Sequence, residues 1–206
     1  MNEQNNLVTL WTIQEYSFYE KLLADQVIYP YYSGHLDRYL IHGYQWLIQQ
    51  MNARIGCSSH YASCPIWAWY QWRSSTRKRP DLRSSGHFAK GTKAVRIEFQ
   101  KKRHEILLSD FELWHFPYSF KSYIPYSPVD EIEFEEKLKN LGLENTKFYQ
   151  LPQKIKQEIK TSWQHCFNLN FYNADYCNIT EKKSIQATFW SLSLDEVIKV
   201  DEFIAR

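Results

Sequence analysis

The chain has 206 residues, 44% hydrophobic and 23% charged, with a formal net charge of +2, and that balance excludes a disordered chain. Six Gly and seven Pro exclude collagen-like and low-complexity descriptions, and the length suffices for a core that needs neither disulfides nor metals. Aromatic residues reach 17%, a surplus that suits a large core or stacking surfaces.

Residues 7–14 (LVTLWTIQ) alternate β-formers and predict a strand. EYSFYEKLLADQ then spaces Tyr16, Tyr19, Leu22 and Leu23 as a helix does, and YPYYSG at 29–34 punctuates. Leu36, Leu40, Tyr44, Leu47 and Met51 recur every three or four residues, predicting a helix from about 35 to 55. PIWAWYQW at 65–72 predicts a strand buried on both faces. Residues 73–92 predict a loop, long enough to expect a function or mobility of it. Strands follow at 94–100 and 105–110, then an aromatic helix or turn at 111–120 and a Pro-broken connection at 121–129.

DEIEFEEKLKNLG predicts an acidic helix with its carboxylates toward the N-terminus and Gly142 as its stop. Another helix runs from Pro152 to Cys166, and IQATFWSL at 185–192 is a late strand. SLDEVIKVDEF predicts a turn capped by Ser193, with Glu196 in the capping-box position. Strands and helices do not alternate strictly. The expectation is one α+β domain over residues 1–206, with a mixed or largely antiparallel sheet flanked by helices.

The N-terminus lacks a basic region followed by an apolar one, so no signal peptide is expected. No apolar run approaches the roughly 18 residues of a membrane span. Cys57, Cys64, Cys166 and Cys177 show no CxxC spacing, which suits reduced thiols in a cytoplasm.

Charge is segregated along the chain. Residues 73–103 hold eleven basic and two acidic side chains, whereas residues 104–206 hold eleven basic and sixteen acidic. A basic block of this kind attracts phosphate, in nucleic acid or in a nucleotide; the plainer alternative is a solvated loop and a guarded strand edge.

No GxGxxG, GxxxxGK[ST], GxSxG or HExxH occurs, so the entry signals of dinucleotide, P-loop, hydrolase and zincin sites are missing. Cys57, His60 and Cys64 could supply three zinc ligands, but no fourth stands at a familiar spacing, and no metal is expected. Ser109, Asp110 and His115 are crowded in sequence without the convergence a triad needs. More suggestive are Trp67, Trp69, Tyr70 and Trp72, which lead straight into Arg73, Arg77, Lys78 and Arg79. Aromatic faces beside guanidinium groups can stack a base while clamping phosphate, although strand alternation gives only half of them to a ligand. Asp81 and Arg83 are either a loop salt bridge or a polar site.

LWTIQ, QWLIQQM, PIWAWYQW, RPDLR, VRIEFQ, LLSDFELWH, TSW at 161–163 and QATFW occur in an order that resembles a bacterial family of unknown function, number 3841, over nearly the whole chain. The opening strand with its helix, and the ending SIQATFWSLSLDEVIKV, also resemble ADP-ribosyltransferase-type domains. That likeness implies NAD as cofactor, held by a first-strand polar residue and by an acidic residue on the last strand that contacts the nicotinamide ribose. Carried over, Thr12 takes the first position and Gln186 or Thr188 the last. Neither of the latter is a carboxylate, so Glu98, Asp110 or another acid substitutes, or the fold binds without transfer. Arg73 to Arg83 would hold phosphates, Asp81 would belong to the cofactor site as a polar residue facing the ligand, and Trp69 or Tyr70 would stack on a ring. The alternatives are a nucleic-acid-binding module using 73–103 and a protein-interaction component of a stress or defence system.

Overall fold

The computed structural model describes residues 6–30, 41–60, 64–120 and 122–206. In chain order these form β1 (Leu7–Glu15), α1 (Tyr16–Asp25), β2 (Val27–Ile28), α2 (Ile41–Ile55), β3 (Ile66–Gln71), β4 (Lys93–Lys102) and β5 (Leu107–Asp110). There follow α3 (Phe111–His115), α4 (Pro128–Asn140), α5 (Gln153–Ser162), β6 (Ile185–Phe189), β7 (Leu192–Ser193) and β8 (Val197–Ile204). Six strands make one sheet in the order β5-β6-β3-β1-β4-β8, and β2 pairs with β7 apart from it. Every pairing is antiparallel. The fold is α+β.

Facing residues of an antiparallel ladder share a face, and neighbours along a strand alternate. One face carries Leu10, Ile66, Ala68, Val95, Ile97, Phe99, Leu108, Ala187 and Phe189, packed under Leu22 of α1 and Ile28 and Leu192 of the small sheet. At roughly 1.5–3 kcal/mol per buried large apolar side chain, this layer is a main source of stability. The other face meets the helices through Trp46, Leu47 and Met51 of α2, Leu113 and Trp114 of α3, and Ile155 and Ile159 of α5. Here the aromatic surplus is used for packing: Trp46 meets Trp163 edge-on at 5.3 Å, and Trp114 stacks on Tyr118 at 5.7 Å.

α2 seats closely. A Cβ on Gly43 would stand 2.6 Å from the Pro117 carbonyl oxygen and 2.9 Å from Tyr118 Cα, both backbone. Gly43→Ala is therefore expected to destabilise by about 1–3 kcal/mol through overpacking. Urea denaturation checks this; an unchanged midpoint would mean that α2 does not lie against this turn.

Several elements differ from the sequence expectation. The helix expected from about 35 is described only from Ile41, because 31–40 lie outside the described residues. The helix from Pro152 ends as α5 at Ser162, and Trp163–Phe167 tighten into a 3-10 turn. The strand expected over 185–192 is two strands: β6 joins the large sheet and β7 pairs with β2. β3 is fully buried only at Ile66, Ala68 and Gln71, while Trp67 and Trp69 on one face and Tyr70 on the other stay half-buried. The capping box at Ser193 and Glu196 is present, but the residues after it form β8, an eight-residue edge strand, not a turn.

β8 explains the charge segregation. It lays Asp201 and Glu202 beside β4, where Arg96 reaches Asp201 at 2.7 Å and Lys93 reaches Glu202 at 3.3 Å. Arg79 adds a second contact to Asp201 at 2.6 Å, and Lys101 meets Glu196 at 2.7 Å. Burial alone would raise the Asp201 carboxyl, but Arg96, Lys199 and Arg79 together hold it well below the usual range. Two oppositely charged segments far apart in sequence thus become neighbours.

Candidate functional site

Following the ladder across the sheet on the helix side gives a single row. Glu98 on β4 faces Trp11 on β1, Trp11 faces Trp69 on β3, Trp69 faces Gln186 on β6, and Gln186 faces Ser109 on β5. Glu98, Trp11, Trp69 and Gln186 are half-buried. They lie between the helical layer, which covers the β5 end of this face, and the 73–92 loop. That loop is pinned over the β4–β8 end by Arg79 on Asp201 and by Arg96 Nη1 donating to the Pro80 carbonyl.

Four buried side-chain polar atoms among the described residues have no hydrogen-bond partner: Trp67 Nε1, Arg96 Nε, Ser109 Oγ and Gln186 Oε1. All four belong to this face, because Ile13 faces Arg96 and Trp67 faces Thr188 in register with the row. Ser109 is only 1% exposed. It stands directly opposite Gln186, yet the two do not satisfy one another. Leaving such a group unpaired costs about 1–3 kcal/mol, and their concentration on one face makes it the candidate site.

The row's carboxylate is held. Trp11 Nε1 donates to Glu98 Oε2 at 2.9 Å, and Lys199 faces Glu98 across the ladder. Trp69 packs on Phe111 with ring centroids 5.2 Å apart. Tyr44 of α2 meets Trp67 edge-on at 6.3 Å, and its hydroxyl is pushed up by burial and by Tyr118.

The fold thus brings together three of the residues singled out from sequence, Glu98, Trp69 and Gln186, and separates the rest. Thr12 points to the opposite face, 1% exposed, and donates to the Trp67 carbonyl at 2.8 Å; its neighbour Trp11 takes the first-strand place in the row. Tyr70 also faces away from the row, with Lys78 Nζ over its ring at 5.4 Å. Thr188 is on the right face but fully buried, its hydroxyl donating to the Leu107 carbonyl at 3.4 Å. Arg73 lies over the ring of adjacent Trp72 at 4.3 Å. Asp81 and Arg83 form the loop salt bridge, with Arg83 Nη2 2.8 Å from Oδ2 and Arg83 Nε 3.0 Å from Oδ1.

Asp110 is not available as a substitute acid. Its Oδ1 caps α3 by accepting from the amides of Glu112 and Leu113, and its Oδ2 lies 2.5 Å from Lys183 Nζ. Lys183 and Asp110 are 1% and 0% exposed, a fully dry ion pair, and Lys183 Nζ also donates to the Phe171 carbonyl. Ser109, Asp110 and His115 therefore make no triad, because the Ser109 hydroxyl meets neither. Sequence reasoning passed over Trp11 and Lys183, and weighed Ser109 only as a nucleophile.

Of the cysteine and histidine set, Cys57 is exposed, Cys64 is partly buried, and the His60 ring lies 3.6 Å from that of Tyr29. No group of three or more His, Cys, Asp or Glu among the described residues is arranged to hold a metal. No helix among them is long and apolar enough to cross a membrane.

A family model described as "Domain of unknown function (DUF3841)" matches residues 9–198. No curated protein and no solved structure matches the chain.

Proposed function

We propose that this chain, which belongs to the DUF3841 family, binds a nucleotide on the Glu98–Ser109 row and that NAD is its ligand, in the manner of ADP-ribosyltransferase-type domains. The observation that carries the reading is the row itself: residues from the first strand and from the late strand β6 flank one tryptophan, on the face that holds all four unpartnered polar atoms. Trp69 supplies a ring to stack on, worth about 1–3 kcal/mol per base. Gln186 supplies hydrogen bonds to a ribose. The loop beyond Trp72 supplies exposed Arg77 as a cation for phosphate, in a basin of about 480 Å³ that Asp81 and Arg83 also line.

Cleaving the nicotinamide bond passes through an oxocarbenium-like state that a nearby carboxylate stabilises. Gln186 is neutral and Asp110 is committed to Lys183. Glu98 stands three strand spacings from Gln186, roughly 14 Å at about 4.8 Å each. The site as built thus binds NAD more readily than it cleaves it.

A thermal melt tests binding. NAD at 100 times its dissociation constant stabilises by about 2.7 kcal/mol, which for a chain of this size raises the midpoint by roughly 5–11 °C. Gln186→Ala is expected to remove most of that shift, and Lys102→Ala, an exposed strand-end change, to leave it. No shift with NAD would sink the reading.

Nucleic-acid binding is the second reading, and exposed Arg73, Arg77 and Lys78 favour it. Against it, Arg79, Arg83, Lys93, Arg96 and Lys101 of the basic block already face carboxylates. A melt shift from a single-stranded oligonucleotide that fades steeply with salt would bring it forward.

A further inference from the structure

Trp69, the stacking platform of the row, already carries a ring from its own chain. Phe111, the first residue of α3, packs on it with centroids 5.2 Å apart and planes tilted by 60°. The Phe111 ring also meets His115 edge-on at 4.9 Å. β6 lies between β3 and β5, and its Gln186 faces Trp69 on one side and Ser109 on the other. Asp110 is extended, so Phe111 stands on the same face of the sheet as Ser109. The Phe111 amide donates to the Ser184 carbonyl at 2.9 Å. A ring that leaves the end of β5 and reaches Trp69 therefore crosses β6 between Ser184 and Gln186.

The polar atoms at this crossing are shut away. Ser109 Oγ and Gln186 Oε1 are buried and without a partner, yet Trp69, Gln186 and Phe111 are each only half-buried as residues. The hydrogen-bonding atoms of the row thus lie closed off at a point where a ring crosses that itself reaches the surface. Two aromatic contacts hold that ring, and such pairs are weak. Rotation of a partly exposed side chain is fast, and the Asp110 cap on the Glu112 and Leu113 amides keeps α3 in place while the ring moves.

We propose that Phe111 is the gate of this site: its ring fills the place on Trp69 that a ligand's flat ring takes, and it swings out to admit that ring to Ser109 and Gln186. The identity of the incoming ring rests on the nucleotide reading; the gate itself does not. Opening breaks two aromatic contacts, so the open state is the minor one, and affinity is reduced by the open fraction. Phe111→Ala is expected to tighten NAD by about two- to tenfold, the worth of such contacts. Phe111→Trp puts a larger ring in the same place and is expected to weaken it.

The gate is read without ligand. A thiol placed in the full chain by Ser109→Cys is alkylated with iodoacetamide and followed by peptide mass spectrometry, with buried Cys166 as the internal control. Adding Phe111→Ala is expected to speed alkylation at position 109 by at least the same factor and Phe111→Trp to slow it, with Cys166 unreactive throughout. Alkylation at 109 that ignores the residue at 111, or that rises only together with Cys166, would overturn the gate. So would calorimetry showing weaker NAD binding by Phe111→Ala in a chain that keeps Ser109, since Phe111 would then belong to the bound site. The expected alkylation pattern with no NAD bound by any chain would uphold the gate and sink the nucleotide reading instead.

Discussion

Replacing Lys183 by Met is expected to lower the stability of the fold by about 3–5 kcal/mol, the cost of leaving one member of a buried pair unpaired. For a chain of this length that is a fall in melting midpoint of roughly 6–20 °C. The size follows from what Lys183 joins. Its ammonium neutralises Asp110 and donates to the Phe171 carbonyl, while its own carbonyl accepts from Gln71 Nε2 at 2.8 Å. Asp110 in turn caps α3, and the Phe111 amide reaches the Ser184 carbonyl at 2.9 Å. Lys183, through its side chain and its backbone, and Ser184 beside it therefore tie the end of β3, the end of β5, the start of α3 and the approach to β6, the corner that sets Ser109 and Gln186 in place.

Adding Asp110→Asn to Lys183→Met should restore much of the loss. Asparagine still caps a helix and leaves no uncompensated charge, so the two changes should couple strongly instead of adding. Urea denaturation of the two singles and the double measures this. Additive losses would mean that the carboxylate finds water once the lysine is gone, and that the corner is not dry. Burial also pushes the nearby Cys166 thiol well up, with the Asp110 charge adding to it, so this thiol is expected to stay unreactive toward alkylating agents until the corner opens.

The row shows how far sequence reaches toward such a site. LVTLWTIQ and PIWAWYQW declare strands through their β-formers, and Trp69, Glu98 and Gln186 stand out as residue types that could handle a nucleotide. Which face each takes is a matter of parity and strand order. Leu10 and Thr12 alternate with Trp11 and Ile13, so both faces of β1 carry plausible core residues, and choosing Thr12 over Trp11 inverted the face. Only the order β5-β6-β3-β1-β4-β8 decides that Trp11, Trp69 and Gln186 meet. β8 was illegible for a related reason: VIKVDEFI mixes charge with β-branched residues, and its register rests on β4, whose basic residues lie about a hundred positions earlier. Lys183, one of four polar residues in EKKS, carries no local sign that it is buried; the 2.5 Å contact to Asp110 comes from tertiary structure alone.

Gln186→Glu should then do more than any loss-of-function change at the row. The substitution keeps size and shape, so NAD binding, read as a melt shift, is expected to persist. It adds a carboxylate where the oxocarbenium-like charge would develop if the ribose sits against Gln186. One well-placed electrostatic group is worth about 10²–10³ in rate, so nicotinamide release from NAD is expected to rise by about 100-fold over the unmodified chain. The new carboxylate must be ionised to act, and partial burial raises a carboxyl pKa; the gain should therefore fade as pH drops toward the acid range. Glu98→Gln in the same background separates the two acids. With Glu98 bound to Trp11 and roughly 14 Å away by strand spacing, its removal should leave most of the gain in place. NAD that still stabilises the Gln186→Glu protein without faster nicotinamide release would place the ribose elsewhere along the row. The same gain abolished by Glu98→Gln would instead make Glu98 the acid that meets the substrate, and Gln186 its neighbour.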